Sequence, residues 1–186
     1  TGLLLQGVAQ QARAAIGLDL SRGMLEKARG RGLRVIEGSA TDLPFEDNSF
    51  DLVYSFKVLA HVPDLGGALS EIARVTRPGG RMVLEFYNKR SLRYLIRRLR
   101  PAGKVSPETD ETHVFTRFHD RPELESLFPT NVRLVETSGF RVATVFPQVF
   151  KMPAIGDAWA ALEDGLSASP LHQFAGFLVL HLERMG

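Results

Sequence analysis

The side chain with the most to offer chemically is the carboxylate of Asp19, which ends the apolar run Ile16-Gly17-Leu18 and is followed by Leu20-Ser21. In a nucleotide-binding α/β sheet, an acid at the end of the second strand accepts hydrogen bonds from the two ribose hydroxyls. Asp19 therefore points to a bound nucleoside. The same residue also reads as a helix N-terminal acid or a solvated strand end. Two further motifs follow at short intervals, Ala40-Thr41-Asp42-Leu43-Pro44-Phe45 and Asn48-Ser49-Phe50-Asp51-Leu52-Val53. The five histidines show no metal-ligand spacing, so no metal is expected. With no cysteine, thiolate catalysis and cysteine metal sites are excluded.

The elements that must position these groups alternate between strand and helix. Leu4, Val8, Ala12 and Ala15 predict one face of a first helix. Residues 15–19 predict a short buried strand, and Ser21 an N-cap for a helix bearing Met24, Leu25 and Ala28 that ends at Gly30 or Gly32. Strands are predicted over residues 33–37 and 52–56. Asp64 caps a helix through Thr76, and Pro78-Gly79-Gly80 turns it into a strand over residues 82–86. This alternation requires a mostly parallel sheet with crossover connections. Residues 89–129 carry no regular strand signal. Leu92, Leu95, Ile96 and Leu99 form an apolar stripe there beside Arg90, Arg93, Arg97, Arg98 and Arg100. An insertion at the carboxyl end of a central strand lies over the ligand side of such a sheet, so 89–129 is expected to be a lid. Beyond it, strands are predicted over residues 140–146 and 176–183, with a helix around Ala158, Trp159, Leu162 and Leu166 between them.

Asp19-Leu20-Ser21 with Met24-Leu25 and Ala28, Leu43-Pro44-Phe45 ahead of Ser49-Phe50-Asp51, and Pro78-Gly79-Gly80 occur in an order and spacing that resemble class I S-adenosylmethionine-dependent methyltransferases. The small-molecule group that includes the ubiquinone and menaquinone C-methyltransferases is the nearest in pattern. The resemblance is close over residues 1–86 and weaker beyond. It implies a Rossmann-like, doubly wound, mostly parallel sheet, whose last strand inserts antiparallel between the fifth and sixth. It also implies that Thr1 and Gly2 are the last two residues of a glycine-rich loop, with a first strand preceding them.

The cofactor implied is S-adenosyl-L-methionine, leaving as S-adenosyl-L-homocysteine. Thr1, Gly2, Asp19, Leu20 and Met24 are the cofactor residues of the first stretch, Asp19 toward the ribose and Met24 against the adenine. Ser39 and Ala40 stand where the family carries an acidic residue and a small one at the adenine edge. Ser39 is the weaker acceptor there, and Asp42 is a substitute or an exposed turn residue. Ser55 and Phe56 occupy the position of contacts to the methionine moiety. His61 matches a position opening toward the acceptor, where it is a catalytic candidate or a structural histidine. His113 and His119, beside Phe115 and Phe118, line an acceptor pocket or simply pack the insertion.

With 186 residues, 44% of them hydrophobic, the chain is long enough for one sizeable core and reads as a single methyltransferase domain over residues 1–186. No segment is apolar enough to span a bilayer and no signal pattern opens the chain, so a soluble, cytoplasmic protein is expected. A formal net charge of +2 does not imply nucleic acid. The partner expected is a small-molecule acceptor, with peripheral membrane contact at most, through the basic 89–104 segment. Two other readings stay open: a NAD-binding oxidoreductase, which also ends its second strand in an acid, and a catalytically inactive methyltransferase-fold binding module.

Overall fold

The computed structural model describes residues 1–99, 104–106, 109–110, 115–144 and 155–186. The chain divides into two compact units, Thr1–Glu46 and Asp47–Gly186.

The first unit contains α1 (Leu3–Ala9), β1 (Gly17–Asp19), α2 (Arg22–Arg29) and β2 (Val35–Glu37). β1 and β2 pair in parallel with Gly17 opposite Val35 and Asp19 opposite Glu37, so both strands end at the same edge of the ribbon. α2 is the crossover, and it buries Leu25 and Ala28, three residues apart on one face. Ser21 is its N-cap as predicted, but its hydroxyl makes no capping bond. The predicted face of α1 is corrected. The helix stops at Ala9, after about two turns, so Ala12 and Ala15 belong to the approach to β1. Leu5 is the buried residue and Leu4 is 60% exposed, because Gly17 lies against the Leu5 side chain. Gly2 has φ 74°, and a Cβ there would stand 2.6 Å from Leu33 Cδ1 and 2.9 Å from Ala28 Cβ. Only glycine meets both demands.

The second unit holds a four-stranded sheet of β3 (Phe50–Ser55), β4 (Thr76–Tyr87), β7 (Val132–Phe140) and β8 (Phe177–Arg184), in the order β3-β4-β8-β7. β3 and β4 are parallel. β8 is antiparallel to both β4 and β7, inserted between them as the family resemblance implies. A 3-10 turn (Leu59–His61) and α3 (Leu65–Val75) connect β3 to β4. Asp64 caps α3 by accepting from the Gly67 N–H at 2.9 Å. Met82, Leu84 and Phe86 alternate on one face of β4, and Leu178, Leu180 and Leu182 are their register partners or next neighbours on β8; all six are buried. With Leu65, Leu69, Ile72 and Ala73 of α3 also buried, these make up most of the core of this unit.

Three expectations change here. Pro78-Gly79-Gly80 does not precede the strand but interrupts it: Phe50 pairs with Thr76 and Leu52 with Arg81, so the extra residues bulge out of the ladder. The strand expected over residues 140–146 is instead β7, Val132–Phe140. A register shift between Leu134 and Glu136 breaks its alternation and exposes Val135, which hid it from pattern reading. Residues 145–146 lie outside the described residues. The stretch 89–129 also contains more regular structure than expected: α4 (Leu92–Leu99), a short hairpin of β5 (Lys104–Ser106) and β6 (Thr109–Asp110), and α5 (Arg121–Glu125). α5 opens on a full capping box between Asp120 and Glu123. α6 (Ile155–Ser167) and a 3-10 stretch (Pro170–Phe174) lead into β8.

Candidate active site

In the first unit the predicted residues gather at the carboxyl end of the parallel pair. The half-buried Asp19 carboxylate accepts the Ser21 N–H at Oδ1, 2.9 Å; among the described residues, Oδ2 accepts nothing. The Asp19 carbonyl accepts the Gly38 N–H at 3.2 Å, which ties the turn after β2 to the end of β1. In that turn the Ser39 hydroxyl is committed locally, 2.7 Å from Thr41 Oγ1 and accepting the Thr41 N–H at 3.2 Å. Ala40 follows it, half-buried. Leu20 is 70% and Met24 41% exposed, and Thr1 N lies 3.6 Å from Met24 Sδ. The result is a carboxylate with spare acceptor capacity, flanked by two uncovered apolar side chains. A ribose diol, as donor, and a flat heteroaromatic base fit that acceptor and its apolar flanks.

The second unit gathers a different chemistry at the carboxyl ends of β3 and β4. Ser55 ends β3 opposite Leu84, and the Phe56 ring stands 6.1 Å from Tyr54. His61 Nδ1 is 2.8 Å from the Phe115 carbonyl, with Thr116 Oγ1 at 3.3 Å. A carbonyl only accepts, so this bond places the proton of the neutral imidazole on Nδ1 and leaves Nε2 as a basic lone pair. The His61 ring edge meets Tyr87 at 5.7 Å. Tyr87 also contacts Phe118 at 5.4 Å and Phe177 at 5.1 Å.

Sequence reasoning missed most of this second cluster. Two arginines of α4 pack on aromatic rings: Arg93 lies over Tyr87 and Phe177 at 5.9 and 5.4 Å, and Arg97 over Phe118 at 5.4 Å. Such contacts contribute about 0.5–2 kcal/mol, depending on desolvation. The leucines of the same helix are the exposed face. Leu92 and Leu95 border a hollow of about 500 Å³ with Tyr94, Phe174, Arg90 and Arg98. Asn88 is fully buried and stitches the end of β4 to the chain before β8: Nδ2 donates to the Gln173 and Ala175 carbonyls at 2.8 Å, and Oδ1 accepts the Arg90 N–H at 2.9 Å. Its signal was a lone asparagine after a strand, indistinguishable from a turn residue.

His119 does not line a pocket. It is buried edge-on to Phe86, and burial, reinforced by the nearby Arg117 charge, lowers its pKa. His113 lies outside the described residues. No described helix is long and apolar enough to cross a membrane.

Residues 1–84 match the family model described as a methyltransferase domain. In sequence the chain is 29% identical over 151 residues to the demethylmenaquinone methyltransferase of Corynebacterium kroppenstedtii, covering 76% of this chain and 64% of the relative. It is 31% identical over 116 residues to that of Corynebacterium efficiens, covering 58% and 50%. The chain thus spans between half and two thirds of the length of these relatives. In structure it is similar to an S-adenosylmethionine-dependent methyltransferase from Mesorhizobium loti, with TM-score 0.66, 20% identity and coverage of 98% of this chain and 86% of that one. It is also similar to one from Methanosarcina mazei, with TM-score 0.67, 17% identity and coverage of 99% and 88%. Fold, strand order and the signature over residues 1–84 agree: the chain resembles the class I S-adenosylmethionine-dependent methyltransferases and counts demethylmenaquinone methyltransferases among its sequence relatives.

Proposed function

We propose that this protein transfers a methyl group from S-adenosylmethionine to a small aromatic or lipid-like acceptor. The observation that carries the reading is Asp19: a carboxylate with an unused oxygen at the carboxyl end of a parallel pair, between exposed Leu20 and Met24. The ribose hydroxyls satisfy the carboxylate, and the two apolar side chains, with Ala40, receive the adenine. Thr1, Gly2 and Ser39 complete the cofactor residues of the first unit, and the family resemblance assigns Ser55 and Phe56 to the methionine moiety.

Methyl transfer from a sulfonium is an in-line displacement. The acceptor's electron pair forms the new bond to the methyl carbon as the carbon–sulfur pair returns to sulfur. Positioning supplies most of the acceleration. Where the acceptor must lose a proton, His61 Nε2 is the base in this reading, with Nδ1–H held by the Phe115 carbonyl.

The 89–129 segment follows β4 at its carboxyl end and acts as the lid in this proposal. The outward leucines of α4, beside Arg90 and Arg98, favour peripheral contact with an anionic bilayer from which an apolar acceptor is drawn.

The test is to supply cell extract with methyl-labelled S-adenosylmethionine and the protein. The expected result is one labelled small molecule together with S-adenosylhomocysteine. Thermal stabilisation by NAD and none by S-adenosylhomocysteine overturns the reading in favour of an oxidoreductase. Stabilisation by S-adenosylhomocysteine with no labelled product in any extract points instead to an inactive binding module.

A further inference from the structure

The sheet register brings together, around Phe177, side chains that no sequence motif links. Tyr87 pairs with Phe177 and Phe177 with Phe140, so these rings share one sheet face with Glu85, two residues before Tyr87. Phe140 stacks on Phe177 at 4.9 Å and 15°. Three cations converge on the same ring: Lys57 Nζ at 5.6 Å, Arg93 Cζ at 5.4 Å and Arg141 Cζ at 5.6 Å from its centroid. Like charges this close repel, and none of the three has a salt bridge among the described residues.

The acid on this face is Glu85, 2% exposed, with Oε1 accepting no hydrogen bond. Burial pushes its carboxyl upward, against the pull of Lys57 and Arg141. The cluster is therefore cationic in excess and contains a buried polar atom without a partner.

The positions are held against local preference. Lys57 and Arg141 have φ 58° and 60°, a conformation that costs any side chain with a Cβ. Arg141 is fixed from both sides. Glu163 accepts the Val142 and Ala143 N–H groups at 2.8 Å and the Thr144 hydroxyl at 2.6 Å. The Gly176 N–H donates to the Arg141 carbonyl at 2.9 Å, an approach so close that a Cβ on Gly176 would stand 3.2 Å from that oxygen.

We propose that Lys57, Arg93 and Arg141 form a subsite for the carboxylate of an aromatic acid, with the half-buried Tyr87 against its ring. This rests on the methyltransferase reading in one respect, that the acid is the methyl acceptor. The cofactor's own amino-acid carboxylate is the competing source of the same chemistry, and the test separates the two.

Benzoate and its uncharged isostere benzamide are titrated by calorimetry and by amide NMR, with and without saturating S-adenosylhomocysteine. Benzoate is expected to bind about tenfold more tightly than benzamide, to shift the Tyr87, Arg141 and Phe177 amides, and to do so equally in the S-adenosylhomocysteine complex. Lys57→Gly and Arg141→Gly suit the backbone at those positions and so keep the fold. Each is expected to weaken benzoate by about fivefold or more, leaving benzamide unchanged. Equal affinity for benzoate and benzamide, or shifts elsewhere in the sheet, overturns the proposal. Competition by S-adenosylhomocysteine also overturns it, by assigning the cluster to the cofactor. Methyl transfer is not read in this experiment, so its failure leaves the proposed activity standing.

Discussion

The two units carry their chemistry in opposite ways. In Thr1–Glu46 the candidate site is built from neighbours in sequence: Asp19, Leu20 and Met24 lie within six positions, and the turn at Ser39–Ala40 reaches Asp19 through one backbone bond. Among the described residues of that unit, only Leu5, Leu25 and Ala28 are buried hydrophobics. In Asp47–Gly186 the site is assembled from residues as far apart as Lys57 and Phe177, on the end of a sheet whose core runs through Met82, Leu84, Phe86 and the β8 leucines. A local motif needs little scaffold, whereas a long-range cluster exists only as long as the register of four strands does.

The largest test of this contrast is Phe86→Ala. Phe86 is fully buried at the centre of the second unit, and its truncation should cost about 3–5 kcal/mol in urea unfolding. With that loss the Tyr87–Phe177 pairing beside it should loosen, visible as faster amide exchange at residues 85–88. If exchange there is unchanged, the aromatic cluster does not depend on the sheet core.

Next in size is Asp19. Replacing it by Ala removes charge-assisted hydrogen bonds worth about 1.5–3 kcal/mol, so S-adenosylhomocysteine should bind about ten- to hundredfold more weakly in calorimetry. Asp19→Asn keeps an acceptor for the Ser21 N–H and should lose affinity with little change in unfolding. Unaltered affinity in both variants would remove the ribose assignment, and with it the claim that the first unit's motif is functional.

The same contrast governs what was legible in the sequence. The position of Asp19 at the end of β1, the Ser21 cap position, the Asp64 cap and the final antiparallel strand all rest on local signals or on a family pattern, and all were readable. The failures share a physical cause, which is that tertiary context decided them. Arg93 and Arg97 look solvated on a helical wheel, but aromatic faces on β4, β8 and the 115–118 stretch draw them inward. β7 was displaced because a bulge broke its period. Positive φ at Lys57 and Arg141 leaves no trace in residue type, since glycine or asparagine is what such positions ordinarily advertise.

The second unit also buries two titratable groups whose pH effects oppose each other. His119 has its pKa lowered by burial, then by Arg117. The unfolded chain therefore takes up the proton first, and the contribution of neutral His119 is lost as pH falls below about 6.5 toward the lowered value. Glu85 is raised by burial. Its contribution is complete below the ordinary glutamate range and is lost as pH rises through the raised value. Thermal unfolding across about pH 4 to 8 should show His119→Gln flattening the acid side of the profile and Glu85→Gln raising stability at the neutral side. Shifts of both variants on the same side would mean that one group does not titrate as its burial requires.

The smallest effect gives the sharpest comparison, because it applies one substitution to both units. Lys27 is exposed in the last turn of α2 with helical backbone, and Lys57 follows β3 with φ 58°. At Lys27, Gly should be about 1 kcal/mol less stable than Ala, since glycine gives up more conformational freedom in a helix. At Lys57 the order should reverse by about 1 kcal/mol, because alanine keeps a Cβ that crowds a left-handed backbone and glycine does not. Comparing Gly with Ala at each position cancels the lost ammonium, including its contact with Phe177, so only the backbone term remains. Urea unfolding of the four variants reads it directly. If Gly is the less stable residue at both positions, the left-handed turn at Lys57 relaxes at no cost, and the argument that the second unit holds its cations against local preference fails at that residue.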